Sequence, residues 1–394
     1  MRKLYPLRNP IREYAWGSRT AIAELLGGPV GGAPQAEMWL GAHPSAPSEV
    51  RDETNAWRPL DLWIAERRQE VLGPRVADRW HHLPFLLKVL AAAKPLSIQA
   101  HPDADQARRG YVAEEAAGIP RDSGERNYPD NRHKPELIYA LTHFTVLRGF
   151  RSPADIRARF AAVGLEDVPC LEGLGSKSPE ASLETFFHRF LVASEAEASG
   201  WVRRALATIE RRGAEDETEA WLPRLAEEHG FDRGVLGPSF LHLDQLAPGE
   251  ALYTGAGVLH AYLDGLGIEV MASSDNVLRG GLTVKHVDPS ELAKVVHYEC
   301  GAPERTEGTL RGAELRFETP ADEFRLSRIE LKGDDAQVEG GVQVLLCTTG
   351  EGEIRFGGEV ERFRRGDSFL IPHGVGAYGL TGKATLFRAA VGIA

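Results

Sequence analysis

Three short segments of the chain carry side chains of the kinds that bind a divalent metal ion. Two of them, residues 95–102 and 131–137, lie about 35 residues apart, and the third, residues 255–262, lies far downstream. Together they supply Gln99, His101, Glu136 and His260. This donor set contains oxygen and nitrogen atoms and no thiolate, which suits zinc, although manganese or cobalt can bind such a set. A metal held in this way acts as a Lewis acid, so the pattern predicts chemistry and not binding alone.

The spacing of these residues predicts that they share one face of a strand. Side chains at positions i and i+2 of a strand point the same way, which applies to Gln99 with His101 and to Lys134 with Glu136. Taken singly, a strand histidine is more often structural than a ligand, so the prediction depends on the four donors together. No ligand-like pattern surrounds the following histidines: His81, His82, His143, His188, His229, His242, His286 and His297.

A second group of chemically useful side chains follows His260, within residues 267–285. It contains the carboxylates Glu269 and Asp275 and, in a glycine-rich stretch, the cations Arg279 and Lys285. Arginine binds phosphate in a two-pronged manner and lysine acts as a point charge. The plainer interpretation is a polar turn with ordinary surface charges. Beside a metal site, however, these cations favour a phosphorylated polyol as the substrate.

Composition restricts the class of protein. The chain has 394 residues, 42% hydrophobic and 26% charged, which is typical of a soluble protein with two or three domains. Its formal charge of -11 disfavours nonspecific binding to nucleic acid. We expect no signal peptide, no membrane partner and a cytoplasmic monomer, since no apolar run approaches the roughly 18–20 residues of a membrane span. The cysteines, Cys170, Cys300 and Cys347, predict neither disulfides nor a thiolate metal site.

The pattern of residue types along the chain predicts three regions. Short apolar runs with Gly and Pro turns extend to about residue 150, where residues 83–93 read as either a buried strand or a helix. From 151 to 240 the chain reads as a helical insertion, with Ser152 or Ser199 as helix caps. Strand patterns return from about residue 241. We therefore expect a catalytic barrel from 1–150 plus 241–320, the insertion at 151–240, and a C-terminal barrel at 321–394.

An internal repeat supports two related barrels. Residues 249–260 align without gaps on residues 366–377, and each copy reads as turn, strand, turn, strand, which suits a jelly roll. Ala377 stands at the position of His260, and His373 comes four residues too early to replace it. The C-terminal barrel is therefore expected to be a degenerate copy without a metal ligand there.

Several motifs, in order, resemble those of one enzyme family. Residues 14–18 (Tyr-Ala-Trp-Gly-Ser) and 36–44 resemble its opening motifs, and residues 95–102 and 133–137 resemble its metal-binding motifs. Residues 260–262, 269–272 and 274–279 resemble its downstream active-site run. On these motifs the chain resembles the type I mannose-6-phosphate isomerases, also called phosphomannose isomerases.

The resemblance implies a mainly β protein of cupin barrels that binds one zinc ion per chain and interconverts mannose 6-phosphate and fructose 6-phosphate. By motif position, the ligand roles fall on the four donors given above, and active-site positions fall on Lys134, Glu269, Asp275 and Arg279. Ser97 and Lys285 fall where phosphate contacts are expected. The chain departs from the family at residues 280–285, where the family usually has Ala before Gly and Pro before Lys, which loosens the loop that carries Lys285.

The chemistry expected from this resemblance is proton transfer between C2 and C1 of an open-chain sugar through an enediolate. The metal would bind the sugar oxygens or a water beside them, and Arg279 would stabilise the enediolate or hold the phosphate. Glu269 is favoured as the base, with Lys134 and His133 as competitors, and His133 is also a candidate substrate contact. Two alternatives remain: a cupin that binds a sugar without turning it over, and an iron-dependent cupin oxygenase, against which Arg279 and Lys285 argue.

Overall fold

Antiparallel strands dominate the structure, a computed structural model that describes residues 3–175, 178–333 and 335–392. The strands in these ranges are β1 (Tyr5–Arg8), β2 (Ile11–Arg12), β3 (Glu37–Gly41), β4 (Glu49–Arg51), β5 (Trp57–Pro59), β6 (Phe85–Ala92), β7 (Ile98–Ala100), β8 (Glu136–Ala140), β9 (Phe144–Phe150), β10 (Leu241–Leu246), β11 (Ala251–Thr254), β12 (His260–Ala272), β13 (Leu278–Gly281), β14 (Gly308–Arg311), β15 (Glu314–Phe317), β16 (Arg325–Lys332), β17 (Ala336–Val338), β18 (Gln343–Phe356), β19 (Glu359–Arg364), β20 (Ser368–Ile371) and β21 (Tyr378–Ala390).

Helices occupy the first hundred residues only briefly and cluster between residues 153 and 240. They are α1 (Ala21–Leu26), α2 (Leu60–Glu66), α3 (Arg68–Leu72), α4 (Pro74–Trp80), α5 (Ala104–Ala116), α6 (Pro153–Ala162), α7 (Pro179–Val192), α8 (Glu195–Arg212), α9 (Glu217–His229), α10 (Gly237–Phe240) and α11 (Pro289–Val295). No helix in the described ranges has the length and apolar character needed to cross a bilayer.

The first sheet has ten strands and surrounds the predicted metal ligands. Its main path runs β10-β9-β12-β6-β3-β2, with β7, β8, β11 and β13 paired off this path. The long strand β12 pairs first with β9 and then, after Gly265, with β6 and β8. Gly265 has φ 132°, and a Cβ there would lie 2.6 Å from the Phe144 ring. Only glycine fits this conformation and this close approach, so Gly265 allows one strand to serve two parts of the sheet.

Strand β6 resolves the ambiguity of residues 83–93 in favour of a strand. All eight of its residues are buried, so the continuous apolar run reflects a strand covered on both faces and not a helix. Leu87 and Val89 pack into the core shared with the second sheet, whereas Leu86 packs with Trp39 and Met271 on the opposite face. Lys88 lies on that opposite face, because side chains alternate along a strand.

The second sheet has eleven strands and contains both the first strand, β1, and the last, β21. Its path runs β14-β15-β16-β21-β18-β20-β1-β4-β5, with β17 and β19 paired to β21 and β18. The first strand therefore pairs with β20, where Tyr5 lies opposite Leu370. The mainly β cupin fold predicted from the sequence is confirmed. The boundaries of the three predicted regions stay a prediction.

The internal repeat is visible as equivalent strands. Strand β11 (Ala251–Thr254) and strand β20 (Ser368–Ile371) occupy matching positions of the two copies. The strands that follow, β12 and β21, each have 13 residues. The glycines that open the two copies, Gly249 and Gly366, both have positive φ, at 100° and 91°. The two turns thus need the same backbone conformation.

The helices between residues 153 and 240 pack around a core of aromatic rings on one side of the first sheet, with Phe150, Phe186 and Phe240 among its buried members. Ser152 caps α6, as predicted, by accepting a hydrogen bond from the Asp155 amide. The prediction for Ser199 is wrong: it lies within α8, whose cap is Ser194. Ser194 forms a capping box with Glu197, a stronger start signal than a lone serine.

The two sheets share one apolar core, in which aromatic rings from both sides meet. Tyr139 of β8 lies with its ring centroid 5.1 Å from that of Phe387 on β21 and 5.5 Å from that of Phe317 on β15. All three residues are buried in the same cluster. The strand that begins with Glu136 is therefore held in place partly by the C-terminal sheet.

Replacing Phe387 with alanine is expected to destabilise the protein by about 3–5 kcal/mol, because it leaves a cavity between the sheets. Urea unfolding followed by tryptophan fluorescence measures the change. Val360→Ala is the matched control, since its side chain is exposed, and it should change stability by less than about 0.5 kcal/mol. Equal unfolding midpoints for the two variants would show that the Phe387 contact does not join the sheets.

Candidate metal centre and the adjoining cavity

Strand pairing brings the predicted metal ligands together. Gln99 is the central residue of β7, Glu136 is the first residue of β8, and His260 is the first residue of β12. His260 lies directly opposite Gln99 in the sheet, and Met271, at the other end of β12, lies opposite Glu136. His101 follows β7 directly. The three distant segments therefore converge through the register of β12.

The donor atoms are close enough to share one ion. Ligand atoms of His101, Glu136 and His260 all lie within 4.8 Å of one another, and the three residues are buried. Nε2 of His101 lies 3.3 Å from Glu136 Oε1, and Nε2 of His260 lies 3.2 Å from Glu136 Oε2. The side-chain amide of Gln99 lies 3.4 Å from Nε2 of His260. Rotating that amide by half a turn would direct its oxygen to the same point.

Hydrogen bonds behind the imidazole rings orient them for metal binding. Nδ1 of His101 lies 2.7 Å from the Asn276 carbonyl oxygen, and Nδ1 of His260 lies 2.9 Å from that of Val258. Carbonyls only accept, so each Nδ1 carries the proton and each Nε2 presents a lone pair to the centre. Burial lowers the pKa of His101 to about 4, which keeps it neutral.

Two buried polar atoms at the centre have no hydrogen-bond partner within the described ranges: His101 Nε2 and Glu136 Oε2. Orphaned buried polar atoms are costly, and a cation between them would satisfy both. The donor set and its geometry thus fit a divalent metal.

Glu136 is held as a carboxylate. Burial would raise its pKa, but the charge of Lys134 holds it well below its usual range. Lys134 Nζ donates a hydrogen bond of 2.5 Å to Glu136 Oε1, which leaves Oε2 directed at the histidines. The spacing prediction for Lys134 and Glu136 is consistent with this contact, although only Glu136 lies inside the strand.

A cavity of about 250 Å³ adjoins the metal centre. Its walls combine carboxylates, cations, aromatic rings and polar groups, including Glu37, Trp39, His43, Lys88, Gln99, Lys134, Glu136, Tyr262, Glu269, Asp275, Arg279 and Lys285. Such a volume, with several charged groups pointing inward, suits a small polar ligand and not a lipid or a nucleic acid.

Glu269 lies deep in this cavity and is paired with Lys88. The two residues face each other across β12 and β6, and Lys88 Nζ lies 2.9 Å from Glu269 Oε2 and 3.3 Å from Glu37 Oε1. Burial raises the pKa of Glu269 in spite of the lysine. Burial would lower the pKa of Lys88, but Glu269 and Glu37 raise it above its usual value. A carboxylate with a raised pKa beside a permanent cation is a candidate proton carrier.

Arg279 and Lys285 supply cations that the protein does not neutralise. Within the described ranges neither side chain has a hydrogen bond or an ion pair, and burial lowers the pKa of each. Arg279 lies opposite Gln99 in the pairing of β13 with β7, so it is fixed beside the metal centre. Uncommitted, partly buried cations are available for an anionic ligand.

Asp275 lies at the exposed edge of the cavity, where it accepts a hydrogen bond of 2.8 Å from Ser45 Oγ. Nε2 of His43 lies 3.6 Å from its other carboxylate oxygen. Burial lowers the pKa of His43. Asp275 is therefore positioned by His43 and Ser45, a contact that sequence analysis did not predict.

The structure brings five of the seven residues predicted for catalysis and substrate binding to one cavity. Lys134, Glu269, Asp275, Arg279 and Lys285 line it. Ser97 lies half-buried before β7 and is not part of the cavity wall. His133 points elsewhere, with Nε2 2.9 Å from Glu323 Oε1. The roles assigned to these residues stay predictions.

Sequence analysis gave no role to several residues of the cavity wall, among them Glu37, Trp39, His43, Lys88 and Tyr262. Lys88 left a signal, since it is a single charge within an apolar run that is buried on both faces. Such a lysine is rare unless it is paired. The other four had no signal beyond lying in motifs, because their roles depend on which strand they face.

Comparison with known proteins agrees with this geometry. A model of the phosphomannose isomerase type I catalytic domain matches residues 4–153, and one of the mannose-6-phosphate isomerase cupin domain matches residues 313–391. The mannose-6-phosphate isomerase of Shigella flexneri is 37% identical over 372 residues, covering 93% of this chain and 94% of that protein.

Solved structures share the whole fold. A point variant of phosphomannose isomerase from Salmonella typhimurium superposes with a TM-score of 0.92 at 34% identity, covering 99% of this chain and all of that one. A mannose 6-phosphate isomerase with zinc bound superposes with a TM-score of 0.91 at 35% identity and covers 99% of this chain. With its sequence, fold and metal-ligand cluster in agreement, the chain belongs to the type I phosphomannose isomerase family.

Proposed function

We propose that this chain catalyses the reversible isomerisation of mannose 6-phosphate and fructose 6-phosphate, using one zinc ion. The observation that carries the proposal is the convergence of two oriented histidines and a carboxylate beside a cavity that also presents uncommitted cations. Its relatives bear the name of this activity, and a structural neighbour binds zinc.

Zinc would be held by Gln99, His101, Glu136 and His260. Nitrogen and oxygen donors of this kind suit zinc, and the neutral glutamine leaves the ion more positive than a second carboxylate would. When bound, zinc supplies a Lewis acid beside the oxygens of the sugar. The protein residues around it then have three tasks: to bind the phosphate, to position the sugar, and to move a proton.

Phosphate binding is assigned to the cationic side of the cavity. Arg279 and Lys285 have no protein partner within the described ranges, so an incoming phosphate does not have to displace a carboxylate. Arg279 is also fixed by its pairing opposite Gln99, close enough to the metal centre to stabilise charge on the sugar as well. Asp275, at the exposed edge, is positioned to accept hydrogen bonds from sugar hydroxyls.

Proton transfer is assigned to Glu269. Its carboxylate takes the proton from C2 of the aldose and returns it to C1, while the oxygen-bound proton moves from O2 to O1 of the enediolate. A raised pKa suits a group that must both accept and give a proton, and Lys88 keeps the carboxylate in one position. The two competitors are engaged elsewhere: Lys134 donates to Glu136, and His133 pairs with Glu323.

Replacing His260 with alanine is expected to abolish stoichiometric zinc binding and turnover, because it removes one of two oriented nitrogen donors. Metal analysis of the purified protein, with a coupled assay of fructose 6-phosphate formed from mannose 6-phosphate, measures both. His143→Ala is the control, since His143 is exposed and outside the centre. A chelator should reproduce the His260→Ala result in the parent protein. Full zinc occupancy without product would instead favour a sugar-binding protein that does not turn its ligand over.

Replacing Arg279 with alanine is expected to lower kcat by roughly 10²-fold or more, as for the loss of one preorganised contact to developing charge. Zinc content should not change, because Arg279 is not a ligand. The control is Arg362→Ala, whose side chain is 88% exposed. A near-normal kcat would remove Arg279 from the chemistry and leave it at most a binding role.

Replacing Glu269 with glutamine is expected to lower kcat by roughly 10²–10⁴-fold with zinc retained, because the amide cannot carry the proton. In D₂O, the parent enzyme should incorporate less than one deuterium per product molecule at C1 or C2. A single buried base returns part of the abstracted hydrogen to the sugar before it exchanges with solvent. Retained turnover and deuterium incorporation in Glu269→Gln would transfer the base role to Lys134 or His133.

A further inference from the structure

A buried charged cluster lies inside the second sheet, far along the chain from the metal ligands. Its central residue is Arg388 on β21, which lies opposite Ser327 of β16 and Leu345 of β18. Ser327 in turn lies opposite Arg316 of β15. These side chains share one face of the sheet, and Leu345 places that face in the apolar interior of the C-terminal barrel.

Arg388 is fully buried but only partly bonded. Its Nη2 donates to Glu314 Oε1, while Nε and Nη1 have no partner within the described ranges. Its side chain is 1% exposed. A guanidinium has five N–H donors, and leaving charged donors buried without acceptors is costly. The cluster therefore lacks hydrogen-bond acceptors beside Nε and Nη1 of Arg388.

In the deepest part of the cluster, guanidiniums outnumber carboxylates. Glu314 is shared between Arg388 and Arg316, whose Nε donates to it at 2.7 Å. Arg325 adds a third guanidinium, and its Nε is also without a partner in the described part of the chain. Burial, and then the charge of Arg388, lowers the pKa of Arg325. Two guanidiniums thus share one deep carboxylate, and the carboxylates beside the third, Glu318 and Glu339, are both more than half exposed.

Two carboxylates lie at the rim: Glu318, whose Oε1 is 4.0 Å from Arg325 Nη1, and Glu339. Oε2 of Glu339 is 3.2 Å from Arg316 Nη1 and 3.6 Å from Arg325 Nη2, while its side chain is 58% exposed. An exposed glutamate can rotate into solvent at little cost. It therefore occupies the approach to the buried guanidiniums without closing it permanently.

Two neutral polar neighbours are satisfied, whereas the hydroxyl of Ser327 has no partner within the described ranges. Tyr378 donates a hydrogen bond of 2.8 Å to the side-chain oxygen of Gln343, and the Gln343 amide donates to the Glu339 carbonyl at 2.5 Å. The described donors that lack acceptors are therefore those of Arg388, Arg325 and Ser327. The missing group has to be small, rich in oxygen acceptors and negatively charged.

We propose that the C-terminal barrel binds a small oxyanion, either inorganic phosphate or a small carboxylate, on Arg388 and Arg325, with Glu339 competing for the same cations at the entrance. This site is separate from the metal centre, and it does not rest on the proposed isomerase activity. Removing Arg388 should weaken binding, and removing the charge of Glu339 should strengthen it. Opposite effects from two residues of one cluster distinguish a site from general charge screening.

The test measures the rise in thermal unfolding temperature with sodium phosphate and, separately, sodium formate, against sodium chloride at equal ionic strength. Arg388→Met is expected to weaken the apparent affinity for one of these anions by about tenfold or more, as for a lost charged hydrogen bond. Glu339→Gln is expected to strengthen it. Arg355→Met, on the exposed side of the same barrel, should change nothing. The anion that shows this pattern identifies the class of ligand.

Inhibition of turnover by phosphate should be equal in all four proteins, because that inhibition reports on the sugar-phosphate cavity. Where Arg388→Met does not fold, Glu339→Gln decides, because a substitution at this exposed side chain is expected to leave the fold intact. If the unfolding temperatures of the parent and of the folded variants rise equally with each anion, the proposal is wrong. The unpaired donors would then be hydrogen-bonded to internal water.

Discussion

The metal centre depends on how two backbone carbonyls hold two imidazole rings. The carbonyls of Asn276 and Val258 accept from Nδ1 of His101 and His260, so both Nε2 lone pairs face Glu136. This arrangement requires the segments before β12 and β13 to lie at fixed positions relative to β7. Their positions follow from the register of β12, and that register requires Gly265 where the strand changes partners. The chemistry of the site is therefore set by strand pairing and not by any single motif.

Around that centre, charge is compensated locally on one side of the cavity and left uncompensated on the other. Lys88 and Lys134 are committed to Glu37, Glu136 and Glu269, so these carboxylates are already held in position. Arg279 and Lys285 have no such partners in the described ranges and are free for an anion. In a site of this kind the charged groups are already oriented and need not reorganise during a reaction. This preorganisation is the usual source of electrostatic catalysis.

The sequence predicted features that depend on neighbouring residues, but not those that depend on which strands pair. The i, i+2 spacing of Gln99 with His101, and the alternation around them, predicted a convergent ligand set, and motif order identified the family. Ser152 was readable as a cap because capping is local, whereas Ser199 was misread since Ser194 and Glu197 form a stronger start nearby. Lys88 and His43 were missed, because only the register of β6 and the path of the preceding loop show what they face. His133 was expected at the cavity, but its partner Glu323 comes from a segment that sequence spacing cannot relate to it.

Strand β1 has a consequence for how the chain is made. It can pair with β4 as soon as residues 49–51 emerge, but its other edge waits for β20, more than 350 residues later. During vectorial synthesis that edge stays open, and open strand edges invite pairing with other nascent chains. The second barrel therefore closes only after residues 368–371 have been synthesised. Termination near residue 360 would leave β1 without its β20 partner, and such a chain would be a substrate for chaperones and proteases.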